Sequence, residues 1–100
     1  LAWKGCDAVY LSFDIDSIDP GYAPGTGTPE PGGFTPREAL EMVRIIAKEG
    51  LCAMEVVEVS PPYDVNDSTS QLACRVILDT LGTMVTEGKL GHRDKVMRPE

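Results

Sequence analysis

Three aspartates that follow an apolar segment have the types and spacing needed for metal chemistry. Asp14, Asp16 and Asp19 form a D-x-D-x-x-D pattern directly after residues 7–13, which are apolar and rich in β-formers. Two carboxylates at i and i+2, on a chain leaving extended geometry, can turn toward one ion. Such hard oxygen ligands suit Mn, Mg or Ca, and together with imidazole they suit Mn, Fe, Ni or Zn. The pattern therefore makes Asp14 and Asp16 candidate ligands of a divalent metal ion.

A further acidic residue, Glu58, lies near the end of a second apolar run, residues 51–59. In open α/β folds, ligands bind at the carboxyl ends of the strands. If both runs are strands of one sheet, Asp14, Asp16 and Glu58 lie at the same edge of that sheet. A plain strand-end charge is the alternative for Glu58.

Several alternatives remain open for the aspartate pattern alone. Aspartates bond readily to nearby backbone, so all three could be turn and capping residues. A calcium loop of the EF-hand type would need Gly at its sixth position and Glu at its twelfth, where Asp19 and Gly25 stand. A phosphatase with an aspartyl nucleophile would also place a D-x-D after a strand.

A helix with clear boundary signals follows the first loop. Residues 21–34 are rich in Gly and Pro, and loops of this length in compact domains are usually functional. Thr35 is the predicted N-cap, Pro36 the first helical residue, and Glu38 completes a capping box. Apolar residues then recur at helical spacing until Gly50 closes the helix.

The second strand and the last helix repeat the same order. Residues 51–59 predict a strand, and a Ser-Pro-Pro-Tyr-Asp run breaks it. Asp67 or Ser68 is predicted to cap a final helix that runs to about Glu87. Alternating strands and helices predict right-handed βα units and a parallel sheet, buried on both faces. Because two parallel strands need neighbours to be stable, we expect the chain to be part of a larger protein.

The composition excludes some classes of partner. The net charge is −7, from 9 basic and 16 acidic residues, whereas a phosphate-binding surface needs a basic face. No apolar run approaches the ~20 residues of a membrane span. The sequence therefore predicts neither a nucleic-acid nor a membrane partner. Three widely spaced cysteines without a C-x-x-C pair predict free thiols in a reducing compartment, and we expect a cytoplasmic protein.

Longer motifs resemble those of one known family. The chain carries S-F-D-I-D-S-I-D-P from position 12, A-P-G-T-G-T-P from position 23, and E-V-S-P-P-Y-D from position 58. These strings resemble the ureohydrolase (arginase/agmatinase) family, and the third resembles its agmatinase-like branch. The resemblance implies an α/β fold, a three-layer α/β/α sandwich with a parallel sheet. Residues 1–91 would be the C-terminal part of that single domain, with only its last strands and helices, and residues 92–100 a polar tail.

The resemblance also implies an activity. Family members hydrolyse a guanidino compound to urea and an amine, and agmatine is the leading substrate here. Guanidinobutyrate and guanidine are the alternatives. Two divalent metal ions activate the attacking water, Mn²⁺ in most members, with Ni²⁺ as an alternative. By position, Asp14 matches the aspartate that bridges both ions, Asp16 matches a ligand of the second ion, and Asp19 matches a loop-shaping carboxylate. The whole protein is expected to be a trimer or hexamer.

The resemblance also bears on four other residues, which either match the family pattern or depart from it. Glu58 matches the glutamate that binds the guanidinium, and Thr28 matches a threonine near the substrate, although a turn role is the alternative. Glu55 stands where the family usually has Asp, which bears on substrate identity. His92 is the single histidine, in the tail, and is not expected to be a ligand.

Part of the active site is expected to lie upstream of this chain. The histidine ligands and the proton-transfer groups of the family lie on earlier loops, so the catalytic residues are unknown here. The 100 residues alone are therefore predicted to be inactive. A catalytically dead homologue kept for assembly is the remaining alternative, but the presence of Asp14, Asp16 and Glu58 together argues against it.

Overall fold

A computed structural model describes residues 1–91, and it confirms the predicted order of strand, helix, strand and helix. The elements are β1 (Tyr10–Asp14), α1 (Pro36–Lys48), β2 (Ala53–Val57) and α2 (Ser68–Thr86). A short 3-10 turn follows the first strand and another follows the second, at Ile15–Ser17 and Pro61–Tyr63. His92 and the predicted tail lie outside the described residues.

The two strands pair in parallel, as predicted. Tyr10 lies opposite Ala53 at one end of the ladder, and Asp14 lies opposite Val57 at the other. Both strands are shorter than the apolar runs suggested. Glu58 adopts a φ of 69°, which ends the extended conformation of β2 directly after Val57. The carboxyl ends of β1 and β2 therefore lie side by side at one edge.

Both helices pack against one face of this sheet. The apolar side of α1, formed by Ala39, Val43 and Ala47, has the spacing of a helix stripe and is buried. The core cluster combines that stripe with residues from β1, the following loop and α2; its buried members are Phe13, Ile15, Ile18, Ala23, Ala39, Val43, Ala73 and Val76. This core fixes the loop after β1 to the helices.

The other face of the sheet is polar and exposed. Ser12 donates a hydrogen bond of 2.8 Å to Glu55 Oε1. This bond and the neighbouring Tyr10 hydroxyl lower the pKa of Glu55. The prediction of strands buried on both faces is thus met on one face only within residues 1–91, because both helices lie on the same side.

The start of α1 agrees with the prediction in full, whereas the start of α2 agrees in position but not in its capping bond. The capping box of α1 is present, with Glu38 N donating to Thr35 Oγ1 and Thr35 N donating to Glu38 Oε1. Asp67, one of the two residues predicted to cap α2, does stand at its N-cap position. Its side chain makes no cap bond, however, and its φ is 59°. The side-chain bonds come from Asp64 instead, because its carboxylate accepts from the Thr69 and Ser70 amides.

Two smaller expectations concern cysteines and membranes. Cys6, Cys52 and Cys74 are all free and exposed. Within the described part of the chain, neither helix has the length and apolar character to cross a bilayer.

Candidate metal and guanidine site

The strand ends bring Asp14 and Glu58 to the same edge. Asp14 is the last residue of β1, and Glu58 follows Val57, the partner of Asp14 in the ladder. The left-handed conformation of Glu58 turns the chain away from the strand direction and costs a non-glycine residue roughly 1–2 kcal/mol. Backbone strain of this kind is often found at functional positions. Sequence reasoning missed it, since no pattern predicts a left-handed glutamate.

Asp14 and Asp16 form an acidic pair around the 3-10 turn. Asp14 Oδ1 accepts a hydrogen bond of 3.0 Å from the Asp16 amide, and the Ser17 hydroxyl donates to the Asp14 carbonyl at 2.7 Å. Burial raises the pKa of Asp14, and the carboxylates of Asp16 and Glu58 raise it further, whereas the Asp16 amide lowers it. The three predicted site residues therefore repel one another, and a bound cation would relieve that repulsion.

Thr28 reaches the same pair from the far side of the loop. Its hydroxyl donates a hydrogen bond of 2.6 Å to Asp16 Oδ2. The Gly/Pro-rich loop thus returns to the metal-ligand candidates. Contact between Thr28 and a substrate stays a prediction.

Asp19 shapes the loop. Its Oδ1 accepts from the Gly21 amide at 2.8 Å and its Oδ2 from the Gly32 amide at 2.9 Å. These two bonds hold the pKa of Asp19 below its usual value. Because both carboxylate oxygens are occupied by loop amides, the geometry supports the structural role that was expected of this residue.

The end of the loop folds back on the 3-10 turn at Gly33. The Phe34 amide donates to the Ser17 carbonyl at 2.8 Å, and the Asp19 amide donates to the Phe34 carbonyl at 2.9 Å. A Cβ on Gly33 would lie 2.6 Å from the Asp19 nitrogen and 2.7 Å from the Ser17 oxygen. Only glycine allows this close approach.

Gly25, in the middle of the loop, bonds to the connection between β2 and α2. Its carbonyl accepts from the Ser60 amide at 2.7 Å, and its amide donates to Thr69 Oγ1 at 2.8 Å. Sequence reasoning noted the glycine as a loop residue but not these partners, which are distant along the chain.

The chemistry of the donor set fits part of a divalent metal site. Asp14 and Asp16 offer the hard oxygen ligands that Mn²⁺ accepts. Within residues 1–91, however, no three His, Cys, Asp or Glu side chains lie close enough together to hold an ion. Among these residues, Asp14 and Asp16 therefore supply only part of a ligand set, and the substrate contact of Glu58 stays a prediction.

A comparison with protein families decides the classification. The model of the arginase family matches residues 2–82. The chain belongs to the arginase family. It is 51% identical over 77 residues to the guanidinobutyrase of Pseudomonas aeruginosa, covering 77% of this chain and 24% of that protein. It is 48% identical over 77 residues to the mitochondrial guanidino acid hydrolase of Homo sapiens, covering 77% of this chain and 22% of that protein.

The fold is that of known arginase-family structures. A crystal structure of a hypothetical agmatinase from Burkholderia thailandensis superposes with a TM-score of 0.75 at 42% identity, covering 84% of this chain and 27% of that one. The predicted arginase-like α/β fold is thus confirmed for the part present. The chain spans about a quarter of the length of the relatives it matches.

Proposed function

We propose that this chain carries part of the active site of a ureohydrolase, and that the whole protein hydrolyses a guanidino compound to urea and an amine. The observation that carries the proposal is the placement of Asp14 and Asp16 beside Glu58 at one edge of the sheet. Family membership and the names of the relatives support it.

Glu58 binds the guanidinium group of the substrate in this proposal. A carboxylate can accept two parallel N–H bonds from a planar guanidinium, which fixes the orientation of the group as well as its position. The strained backbone of Glu58 directs it out of the strand, next to the aspartates. The reacting carbon is therefore held close to the metal ligands.

Asp14 and Asp16 hold two divalent ions, with Mn²⁺ proposed first and Ni²⁺ as the alternative. When bound, such a metal pair supplies an activated water and stabilises charge that develops on the substrate. The Thr28 hydroxyl keeps Asp16 oriented. The remaining ligands and the proton-transfer groups come from other parts of the whole protein, of which residues 1–91 are the C-terminal part of one domain. The 100 residues alone are accordingly proposed to be inactive.

Agmatine is the first proposed substrate. The described carboxylates at this edge give an acidic surface that suits a substrate with a second, cationic end. A second candidate, 4-guanidinobutyrate, is favoured by the 51% identity to a guanidinobutyrase. The two compounds share the guanidinium that Glu58 binds and differ in the charge of the tail. Glu55, on the polar face of the sheet, is proposed to influence this choice.

The remaining proposals concern the setting of the protein. Free thiols suit a reducing compartment, and we propose the cytoplasm. We also propose a homotrimer or homohexamer for the whole protein, which light scattering coupled to size-exclusion chromatography measures directly.

Urea release by the whole protein tests the function. The protein is supplied with Mn²⁺, then separately with Ni²⁺, and assayed with agmatine, 4-guanidinobutyrate and guanidine. We expect urea from agmatine or from 4-guanidinobutyrate. The compound that is hydrolysed faster shows which tail charge the site prefers in its substrate. No urea from any of the three, with metal bound, would overturn the proposed function and favour a homologue kept for assembly.

A further inference from the structure

A chain of hydrogen bonds joins the loop of the aspartate pair to the segment that follows Glu58. The Ser60 amide, two residues after Glu58, donates to the Gly25 carbonyl at 2.7 Å. The Gly25 amide, three residues before Thr28, donates to Thr69 Oγ1 at 2.8 Å. Both polar groups of the Gly25 backbone are thus bonded to residues that lie after β2.

The Thr69 hydroxyl lies in a buried position between Gly25 and Asp64. The side chain is fully buried, its oxygen accepts from the Gly25 amide at 2.8 Å, and it lies close enough to the Asp64 carboxylate to lower the pKa of that group. Because the oxygen accepts from the Gly25 amide, the hydroxyl proton is free to point toward the carboxylate.

Asp64 is itself held rigidly. Its oxygens accept from the amides of Val65, Thr69 and Ser70 at 2.9, 3.0 and 3.0 Å. Burial opposes ionisation, but the bonds from Ser70, Thr69 and Val65 outweigh it and hold the pKa of Asp64 far below its usual value. The turn that carries Thr69 is therefore fixed by a carboxylate that is ionised at neutral pH.

The same three residues are also in steric contact. A Cβ on Gly25 would lie 2.9 Å from the Cβ and Cγ of Asp64 and 2.9 Å from the Cβ of Thr69. The loop therefore lies directly against the start of α2.

We propose that Thr69 is a positioning residue of the guanidine site, whose hydroxyl, through Gly25, sets the separation between the Asp14–Asp16 pair and Glu58. The inference rests on the proposed function, because it takes Asp14 and Asp16 as metal ligands and Glu58 as the residue that binds the guanidinium. It goes beyond that function by giving the control of their geometry to a residue that touches neither.

Loss of the hydroxyl should affect the substrate more than the metals. Without it, the buried Gly25 amide loses its acceptor, and the bond from Ser60 to the Gly25 carbonyl alone remains at this residue, so the loop can shift relative to Glu58. A substrate must contact Glu58 and the metal-activated water at the same time, so an error in their separation reduces catalysis. The hydrogen bonds that join Asp14, Asp16 and Thr28 involve neither Gly25 nor Thr69, so we expect them to be retained.

The test compares Thr69→Val with a matched control, Thr80→Val, in the whole protein. Thr80 is equally buried in α2, but its hydroxyl donates only to the Val76 carbonyl of its own helix, at 2.7 Å. We expect Thr69→Val to lower kcat/KM for the substrate by roughly 10- to 100-fold, since a misplacement of about 1 Å costs up to that much. The affinity for Mn²⁺, measured by calorimetry, should stay within about twofold of wild type. Changes no larger than this are expected when two sites are not energetically coupled. Thr69→Ser, which keeps the hydroxyl, should restore activity, and Thr80→Val should retain it.

A second measurement does not depend on activity. Hydrogen exchange of the Gly25 amide should be faster in Thr69→Val than in wild type, and unchanged in Thr80→Val. If Thr69→Val does not fold, Asp64→Asn replaces it, because the Asp64 carboxylate holds the backbone of Thr69 and Ser70 and so positions the same hydroxyl. The inference predicts reduced kcat/KM with retained metal affinity for this variant too.

The outcomes separate the inference from the function it rests on. An active wild type with equal kinetic constants in Thr69→Val and Thr80→Val would overturn the inference alone. Loss of Mn²⁺ affinity in Thr69→Val, or a Thr69→Ser variant without activity, would mean a merely structural role and would overturn it as well. A wild type that releases no urea would overturn the proposed function, and the inference with it.

Discussion

The hydroxyl of Thr28 and the carboxylate of Asp16, twelve positions apart in the sequence, are joined by a hydrogen bond of 2.6 Å. The bond gives Thr28 a role that the family resemblance did not suggest, because it orients a proposed metal ligand directly. Partners of this kind fix the orientation and basicity of the ligand they contact.

Thr28→Val is expected to weaken metal binding. Valine keeps the shape of threonine but cannot hold the Asp16 carboxylate, and loss of such a partner typically lowers metal affinity by about 10- to 100-fold. Calorimetric titration of the whole protein with Mn²⁺ measures the change, and Thr28→Ser should bind normally. An unchanged affinity combined with a raised KM would instead place Thr28 on the substrate alone.

Glu58→Gln is expected to reduce kcat/KM by about 2–4 kcal/mol, or roughly 30- to 1000-fold, because the guanidinium loses its charged partner. Initial rates of urea release measure the loss. Glu41→Gln, an exposed change on α1, serves as the control and should behave as wild type. A fully active Glu58→Gln variant would show that the guanidinium binds elsewhere.

The backbone at Glu58 predicts an unusual order of stabilities. Its φ of 69° is easy for glycine and strained for alanine. Glu58→Gly should therefore be more stable than Glu58→Ala by about 1 kcal/mol, although both lack the carboxylate. Denaturant unfolding of the two variants provides the measurement, and a less stable glycine variant would contradict the left-handed conformation.

Gly33→Ala is expected to destabilise the fold. Its added Cβ would meet the Asp19 nitrogen at 2.6 Å, and overpacking of this kind typically costs about 1–3 kcal/mol. Gly82→Ala is the matched change, since nothing lies within 4 Å of its Cβ and the residue is inside α2. That variant should be stabilised by about 1 kcal/mol, the difference in helix propensity. Equal stability of the two variants would contradict the close contact at Gly33.

Asp79 predicts a pH dependence of stability. Partial burial opposes its ionisation, but hydrogen bonds from Arg75 and Arg44 at 2.7 and 2.6 Å, with their charges, hold its pKa below the usual value. A lowered folded-state pKa stabilises the fold above the unfolded value of about 4, and this stabilisation disappears as the pH falls through the folded value.

Asp79→Asn should therefore be less stable than wild type at pH 7. Both arginines are largely exposed, so screening limits the difference to roughly 1 kcal/mol. Unfolding curves between pH 7 and about pH 3 should show the difference shrinking below about pH 4. A difference that is constant across this range would mean that the ionised carboxylate is not responsible.

Local signals allowed much of the fold to be predicted from the sequence. The start of α1 depends on Thr35 and Glu38, which are three residues apart and bond each other. The position at which α2 begins was predicted, but not the side chain that caps it, because Asn66 and Asp67 are both left-handed and bring the earlier Asp64 to the helix amides. This change of chain direction depends on the backbone conformation of two residues, which their types alone do not predict.

The candidate site was predictable where it follows from strand order. Asp14 and Glu58 meet because parallel strands end at one edge, and the acidic pattern marked that edge in advance. The bonds of Gly25 to Ser60 and Thr69 could not be foreseen, because they join separate loops and depend on the absence of a side chain.

The separation of Gly25 and Thr69 along the chain also has a consequence for biosynthesis. Their hydrogen bond spans 44 residues, and ribosomes add about 5–20 residues per second, so Thr69 follows Gly25 by roughly 2–9 s. During that interval the loop that follows Asp14 and Asp16 has been synthesised, but its hydrogen-bond partners after β2 have not. The nascent chain thus presents the acidic loop without the contacts that hold it until α2 is translated.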